Sequence, residues 1–149
     1  MTDTTYVTTS IPYVNAKPHV GFALELVQAD AVARYHRLLG RRTVLQTGTD
    51  ENALKNVLAA QRKGVSTRDL VDANSQAFRD LADALAVSVD TFIRTTEPRH
   101  RRAVHAFWRS LREEDIYRRS YKGLYCHGCE DFWLERDLVD GRCPEHREP

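Results

Sequence analysis

The chain has 149 residues and 22 basic against 21 acidic side chains, a formal net charge of +1, so composition alone does not argue for a nucleic-acid surface. Hydrophobic residues at 42% and charged residues at 29% suit one ordinary domain, or one domain with a small appendage, carrying a solvated surface. The start, Met1-Thr2-Asp3-Thr4-Thr5, lacks the charged and apolar regions of a signal peptide, and no apolar run approaches membrane-spanning length. The expectation is therefore a soluble, cytoplasmic protein with no membrane partner. All three cysteines lie between positions 126 and 143, and their odd number and clustering favour metal binding in a reducing compartment over a disulfide framework.

In chain order, Tyr6-Val7-Thr8-Thr9-Ser10 predicts a short strand, cut off by Pro12. Asn15-Ala16-Lys17-Pro18 reads as a turn, and Pro18 suits a first helical turn. Val20, Ala23, Leu24, Val27, Ala31, Tyr35 and Leu38 then recur at helical spacing until Gly40, a natural C-cap. Thr43–Thr47 predicts a second strand ended by Gly48, followed by a helix from about Asp50 to Arg62. Ser66-Thr67-Arg68-Asp69 has the form of a capping box and opens a helix with Leu70, Ala73, Ala77, Leu81 and Leu85 on one face. Phe92-Ile93 predicts a third strand, and Thr96-Glu97-Pro98 the cap of a helix carrying Val104, Phe107, Trp108 and Leu111. Strands alternating with helices imply a parallel sheet with crossover helices. The helical pattern gives way near Glu114–Ile116, which places a boundary there.

Parallel α/β folds bind ligands at the carboxyl ends of their strands, where loops enter helix N-termini. Here that place is the passage from Ser10 to Pro18-His19-Val20-Gly21. The helix start offers free backbone N–H groups and positive partial charge, both suited to phosphate. His19 can donate to a phosphate oxygen, and Gly21 leaves the backbone open to a nucleotide. The spacing alone is a weak signal, and a lone histidine near a helix start is more often a capping or surface residue.

Further on, Cys126-His127-Gly128-Cys129, thirteen residues, then Cys143-Pro144-Glu145-His146 has the spacing of a Cys-x2-Cys…Cys-x2-His site. Three thiolates and one imidazole suit tetrahedral zinc, and four protein ligands would make that zinc structural. The alternative is a degenerate knuckle with free thiols and a surface His146. His127 reads as a bystander, with Phe132 and Trp133 packed under the knuckle.

Several blocks together resemble the methionyl-tRNA synthetases. The opening Tyr6–Asn15 and Pro18-His19-Val20-Gly21 is similar to the family's start, with His19 to Gly21 matching its His-Ile-Gly-His tetrapeptide, Val standing for Ile. Thr47-Gly48-Thr49-Asp50-Glu51, Phe92–His100, Tyr125-Cys126-x-x-Cys129-Glu130 and Asp140-Gly141-x-Cys143-Pro144 follow in the family's order. The resemblance implies an α/β fold in which residues 1–115 form the first half of a Rossmann-like catalytic domain. Residues 116–149 would begin a zinc-binding insertion that is cut short.

It also implies ATP, with Mg2+, as a substrate that activates methionine or a related amino acid to an adenylate for transfer to tRNA. His19, Gly21 and the position of Phe22 would contact ATP, with His19 catalytic; Ile11, Pro12 and Tyr13 would line the amino-acid pocket; Asp50 would pair with the substrate ammonium. In plainer readings Ile11 and Tyr13 are core residues and Asp50 is a helix N-cap. The family's usual fourth zinc ligand is cysteine, and His146 replaces it here.

Three departures bear on activity. Phe22 stands where the tetrapeptide has its second histidine, Asn52-Ala53 stand where the family has His-Gly, and no Lys-Met-Ser-Lys-Ser loop occurs. Losing one contact that strengthens in the transition state costs roughly 100-fold or more. Low or no activity is the expectation for this chain alone, with a complementing second half or a second copy as possible partner. Two other readings stay open. One is a synthetase-like paralogue that activates an amino acid for small-molecule biosynthesis. The other is a non-catalytic remnant that binds nucleotide, RNA or protein.

Overall fold

A computed structural model describes residues 4–146. The chain forms two compact units, residues 1–103 and 104–149. The boundary expected near residue 115 falls inside the second.

In the first unit, β1 (Thr4–Thr8), β2 (Arg42–Thr49) and β3 (Thr91–Arg94) form a parallel sheet in the order β1-β2-β3. The crossovers are α1 (Val20–Leu38) between β1 and β2, then α2 (Leu54–Lys63) and α3 (Thr67–Ala84) between β2 and β3. This is the parallel architecture that the alternation of elements implied. Tyr6 pairs with Val44 and Leu45 with Val7 on one side of β2, and Gly48 faces Ile93 on the other. At that point the strands run so close that a Cβ on Gly48 would sit 2.1 Å from the Ile93 carbonyl oxygen. Only glycine fits there.

The core consists of Val14, Phe22, Leu26, Val71, Phe78, Ala82 and Phe92, with Leu81, Val87 and Val89 packed against it. Two helices bury a different face from the one their apolar spacing predicts. In α1 the buried residues are Phe22, Leu26, Asp30 and Ala33, whereas Val20 and Leu38 of the expected stripe are 86% and 87% exposed. The reason is Asp30. Its carboxylate accepts from the Ser88 amide at 2.9 Å and from Arg34 Nε at 2.6 Å, and from the Ser88 hydroxyl, so a charged residue sits comfortably on the inner face. Burial works against the ionised form, and these donors outweigh it, leaving the Asp30 carboxyl below its usual range.

In α3 the expected stripe is likewise displaced. Leu70 is buried as expected, but Val71, Asn74, Ser75, Phe78 and Ala82 take the inner face, and Ala73 and Leu85 are exposed. Asn74 donates to the Val14 carbonyl at 2.6 Å, and the Ser75 hydroxyl meets that of Thr49 at 3.1 Å. Polar residues with fixed partners bury as readily as leucines, and apolar periodicity does not register them. The cap of α3 is as read: Ser66 Oγ accepts from the Asp69 amide at 3.0 Å.

Helix α4 (Pro98–Ser110) runs from the first unit into the second. The second unit then holds an antiparallel hairpin of β4 (Leu124–Cys126) and β5 (Asp131–Trp133), with Leu124 opposite Trp133 and Cys126 opposite Asp131. Phe132 lies edge-on to Tyr121 and Tyr125, with ring centroids 5.6 and 5.1 Å away. A tight turn with Gly141 at φ +72° closes Val139 onto Arg142. Among the described residues, no helix is long and apolar enough to cross a membrane.

Candidate functional site

The carboxyl ends of β1 and β2 continue into one small structure. The Asp50 amide donates to the Pro12 carbonyl at 2.9 Å, and Tyr13 and Asp50 form a parallel bridge beyond the ends of the named strands. Ile11, Pro12 and Tyr13 are thereby held alongside Asp50. Ile11 and Tyr13 are 38% and 36% exposed, surface available to a ligand rather than core. Lys55 Nζ stands 5.1 Å from the centre of the Tyr13 ring. The loop leaving β1 is tied to α1 by Glu25, which accepts from the Ser10 amide at 2.6 Å and the Ser10 hydroxyl at 2.8 Å.

His19 is the N-cap of α1. Its Nδ1 accepts from the Gly21 amide at 3.0 Å and from Phe22 at 3.4 Å. An accepting Nδ1 carries no proton, so the neutral ring holds its proton on Nε2, free to donate outward from an exposed residue. Capping and ligand contact are therefore compatible in one ring, although they were alternatives on sequence grounds. Gly21 makes this possible: a Cβ there would lie 2.9 Å from His19 Cε1. Phe22 goes elsewhere. Expected at the nucleotide, it is 4% exposed, part of the core, and edge-on to Phe78 at 5.0 Å. An apolar ring one position after Gly21 turns inward because the core offers it an aromatic partner.

Sequence reasoning gave no role to the residues that hold Asp50. Thr95, just past β3, donates its hydroxyl to Asp50 Oδ1 at 3.4 Å and accepts from the Glu51 amide at 2.8 Å and from Asn52 Nδ2 at 3.3 Å. The Glu51 side chain is wholly buried and paired with Arg94 through Nε at 2.5 Å and Nη2 at 3.1 Å. Thr49 donates to the same carboxylate at 3.2 Å, as does Thr96, while Arg94 also binds Asp72. The hydrogen bond to Glu51 raises the Arg94 guanidinium pKa further, so the guanidinium stays charged. A cavity of about 390 Å³ opens beside the cluster, lined by Glu51, Asn52, Arg68, Asp72, Arg94 and Thr96 among others. Ile11, Tyr13, His19 and Asp50 are absent from its lining.

In the second unit, Cys126 Sγ, Cys129 Sγ, Cys143 Sγ and a His146 ring nitrogen all lie within 4.8 Å of one another. His146 Nδ1 is 3.2 Å from Cys129 Sγ and 3.9 Å from Cys126 Sγ, and the Cys129 and Cys143 sulfurs are 3.5 Å apart. Tetrahedral zinc, with Zn–S of about 2.3 Å and Zn–N of about 2.0 Å, needs ligand–ligand edges of roughly 3.5–3.8 Å. The separations of these pairs run from 3.2 to 3.9 Å and none in the cluster exceeds 4.8 Å, near that size, and all three cysteines are free of disulfides. Gly128 admits the imidazole, since a Cβ there would stand 2.5 Å from His146 Cδ2.

Backbone amides donate to sulfur at both knuckle turns, Cys129 to Cys126 Sγ at 3.4 Å and His146 to Cys143 Sγ at 3.5 Å. Burial opposes ionisation of Cys143, but the backbone amides of His146 and Glu145 bring its thiol down to about 6. Burial and the facing sulfurs of Cys143 and Cys126 push Cys129 up to about 12. Three thiolates cannot coexist here without a cation, and a divalent ion is what the donor set suits.

The parallel sheet with a loop at its carboxyl end, the histidine-capped first helix and the cysteine knuckle fit the pattern of a class I aminoacyl-tRNA synthetase. The family model for tRNA synthetases class I (M) matches residues 5–149, and the chain belongs to that family. It is 42% identical to the methionine–tRNA ligase of Caldanaerobacter subterraneus subsp. tengcongensis over 150 residues, covering 100% of this chain and 24% of that protein. With the methionine–tRNA ligase of Thermotoga maritima it shares 40% identity over 149 residues, covering 97% and 24%. A solved structure of Mycobacterium tuberculosis methionyl-tRNA synthetase in complex with methionyl-adenylate matches with a TM-score of 0.87 at 42% identity, over 98% of this chain and 30% of that one. The chain thus spans about a quarter of the length of the curated relatives it matches. The resemblance read from the motifs is borne out at the level of the family.

Proposed function

We propose that this chain supplies the amino-acid and phosphate contacts for ATP-dependent activation of methionine to methionyl-adenylate, as part of a methionine–tRNA ligase acting in the cytoplasm. The observation that carries the reading is the Tyr13–Asp50 bridge, which sets a carboxylate beside Ile11, Pro12 and Tyr13 at the carboxyl end of the sheet. In this reading Asp50 pairs with the substrate ammonium and thereby directs the amino acid's carboxylate. The thioether side chain rests on Ile11, Pro12 and Tyr13. The carboxylate oxygen attacks the α-phosphorus of ATP in line, and the bond to the bridging oxygen breaks to release pyrophosphate. His19 Nε2–H and the amides at the start of α1 stabilise the negative charge on the α-phosphate oxygens. Gly21 keeps the backbone open to the nucleotide, to which Phe22 adds no polar contact. Mg2+ bound with ATP would offset the charge of the departing pyrophosphate. Transfer to the 3′-terminal adenosine of tRNA completes the reaction.

Cys126, Cys129, Cys143 and His146 would hold a structural zinc, which fixes the knuckle and takes no part in the chemistry. The exposed Val20–Leu38 face of α1 supports the expected association with a complementing second half or a second copy. One observation favours the paralogue reading: Phe22 lies in the core, so a polar contact of the usual tetrapeptide has no counterpart. Isothermal titration of the full chain with methionine separates these readings, followed by methionine-dependent ATP–pyrophosphate exchange and tRNA charging. Methionine binding that Asp50→Asn weakens at least 10-fold is expected. Binding indifferent to Asp50→Asn sinks the assignment, and, in the chain completed by the missing second half, exchange without tRNA charging selects the paralogue.

A further inference from the structure

Asp50 answers the ammonium of a bound amino acid; the carboxylate of the same molecule carries the opposite charge and needs a donor of its own. The cation that the structure sets beside this loop is Lys55. Its Nζ stands 5.1 Å from the centre of the Tyr13 ring, and Tyr13 is the residue bridged to Asp50. Asp50 and Lys55 therefore meet the same aromatic residue, the first at its backbone and the second at its ring face.

The two charges are also held in a fixed relation. Lys55 lies in the first turn of α2, and the next residue, Asn56, is fully buried and donates from Nδ2 to the Asp50 carbonyl at 3.3 Å. The start of α2 is thus tied back to the Asp50 loop, and the half-buried Lys55 leaves from that anchored turn. Helix stability does not account for a cation there. The N-cap Ala53 makes no side-chain cap, the first turn has no acidic residue, and the helix dipole opposes positive charge at this end, whereas Arg62 and Lys63 occupy the favourable one. A lysine over a partly exposed ring gains little from the ring alone. Arg94, the other cation beside this loop, is taken up by Glu51 and Asp72. An ammonium on a flexible stem has three donors and can turn from the ring to an anion beside it.

We propose that Lys55 is a substrate-binding residue whose ammonium contacts the carboxylate of methionine, so that Asp50 and Lys55 together recognise an α-amino acid by both of its charges. The proposal rests on the reading of Asp50 as the partner of the substrate ammonium and adds the other half of the charge match. Lys55 holds the carboxylate oxygen that does not attack, which leaves the second oxygen to face the α-phosphorus of ATP.

The test is isothermal titration of the full chain with L-methionine and with L-methioninol, which keeps the ammonium and the thioether but carries a hydroxymethyl group in place of the carboxylate. The unaltered chain should bind methionine about 10-fold more tightly than methioninol, the size expected of one hydrogen bond between charged groups. Lys55→Met should weaken methionine by about the same 10-fold factor and leave methioninol unchanged. Asp50→Asn should weaken both ligands, and Lys63→Met, at the exposed far end of α2, should alter neither. Equal weakening of the two ligands by Lys55→Met, or no weakening of either, overturns the role of Lys55; the reading of Asp50 survives it so long as Asp50→Asn still weakens both. Indifference of both ligands to Asp50→Asn, or no binding of either, removes that reading and this proposal together. If Lys55→Met does not fold, Lys55→Gln takes its place with the same expectations. Equal affinity of the unaltered chain for methionine and methioninol overturns the proposal without any variant.

Discussion

The loop that carries Asp50 and the cysteine knuckle reach order by opposite routes. Around Asp50 every charged group has a protein partner: Glu51 is fully buried but clasped by Arg94, and Thr95 gathers Asp50, Glu51 and Asn52 onto one hydroxyl. In the knuckle three thiols crowd together, one pushed up to about 12 and one drawn down to about 6, beside an indole N–H with no acceptor. The first cluster is completed by the chain's own side chains. The second brings together a donor set suited to a divalent cation. If the proposed roles hold, a substrate site must release its ligand, so its framework cannot depend on it, whereas a structural metal stays, and the framework can.

The largest expected effect follows directly. Stripping the zinc-loaded chain with a chelator should unfold the β4–β5 hairpin while the three-stranded sheet persists, since structural zinc commonly supplies about 10 kcal/mol of folding free energy to such modules. Hydrogen exchange read residue by residue checks this. Protection should vanish across 124–133 and hold in β2. Simultaneous loss in both regions would abolish the contrast drawn between them.

Next in size is the Glu51–Arg94 pair. Arg94→Met leaves a fully buried carboxylate without its cation, and breaking a buried pair from one side costs about 3–5 kcal/mol. Urea unfolding followed by helical circular dichroism should show that loss with zinc affinity unchanged. A double change to Glu51→Gln with Arg94→Met should recover much of it, because no bare charge then remains.

Smaller, and aimed at function, is Thr95→Val. It preserves shape but removes the hydroxyl shared by three groups of the 50–52 loop, at a cost of about 1–2 kcal/mol in stability. Methionine affinity should fall about 10-fold if Asp50 is aimed by this hydroxyl. Thr95→Ser should restore it. Equal methionine binding in all three proteins would show that Asp50 holds its position without Thr95.

What could be read beforehand divides along the same physical line. The parallel order, the capping box at Ser66 and the clustering of Cys126, Cys129, Cys143 and His146 were legible because each rests on a local pattern: alternation, a four-residue box, a two-residue gap. The buried faces of α1 and α3 were not, since Asp30, Asn74 and Ser75 are inside only by virtue of partners far along the chain: Ser88 for Asp30, Val14 for Asn74, Thr49 for Ser75. Phe22 was misplaced for a related reason, its partner Phe78 lying on another helix. Thr95 and Arg94 stood in a block already noticed as Phe92–His100. A strand's carboxyl end followed by two threonines was a signal for loop support, and it carried no assigned role.

The smallest effect concerns acid, and it separates the two regions by pH. Asp30 has its carboxyl pKa lowered in the folded chain from an ordinary 3.8: burial opposes the shift, and the Ser88 and Arg34 donors outweigh it. A depressed folded value means that its stabilisation is fully present above about 3.8 and drains away as the pH drops through the lower folded value. The knuckle responds earlier, because its thiolates and His146 must shed protons to hold metal and so release it as acid returns them. Acidification should therefore give two steps. Trp133 fluorescence and zinc release should come first, and helical signal from the sheet unit should follow only at lower pH. Asp30→Asn should leave the first step untouched and flatten the second, since an amide cannot be protonated there. A single step, in which metal loss and loss of helix coincide in both proteins, would mean that the sheet unit depends on the knuckle after all.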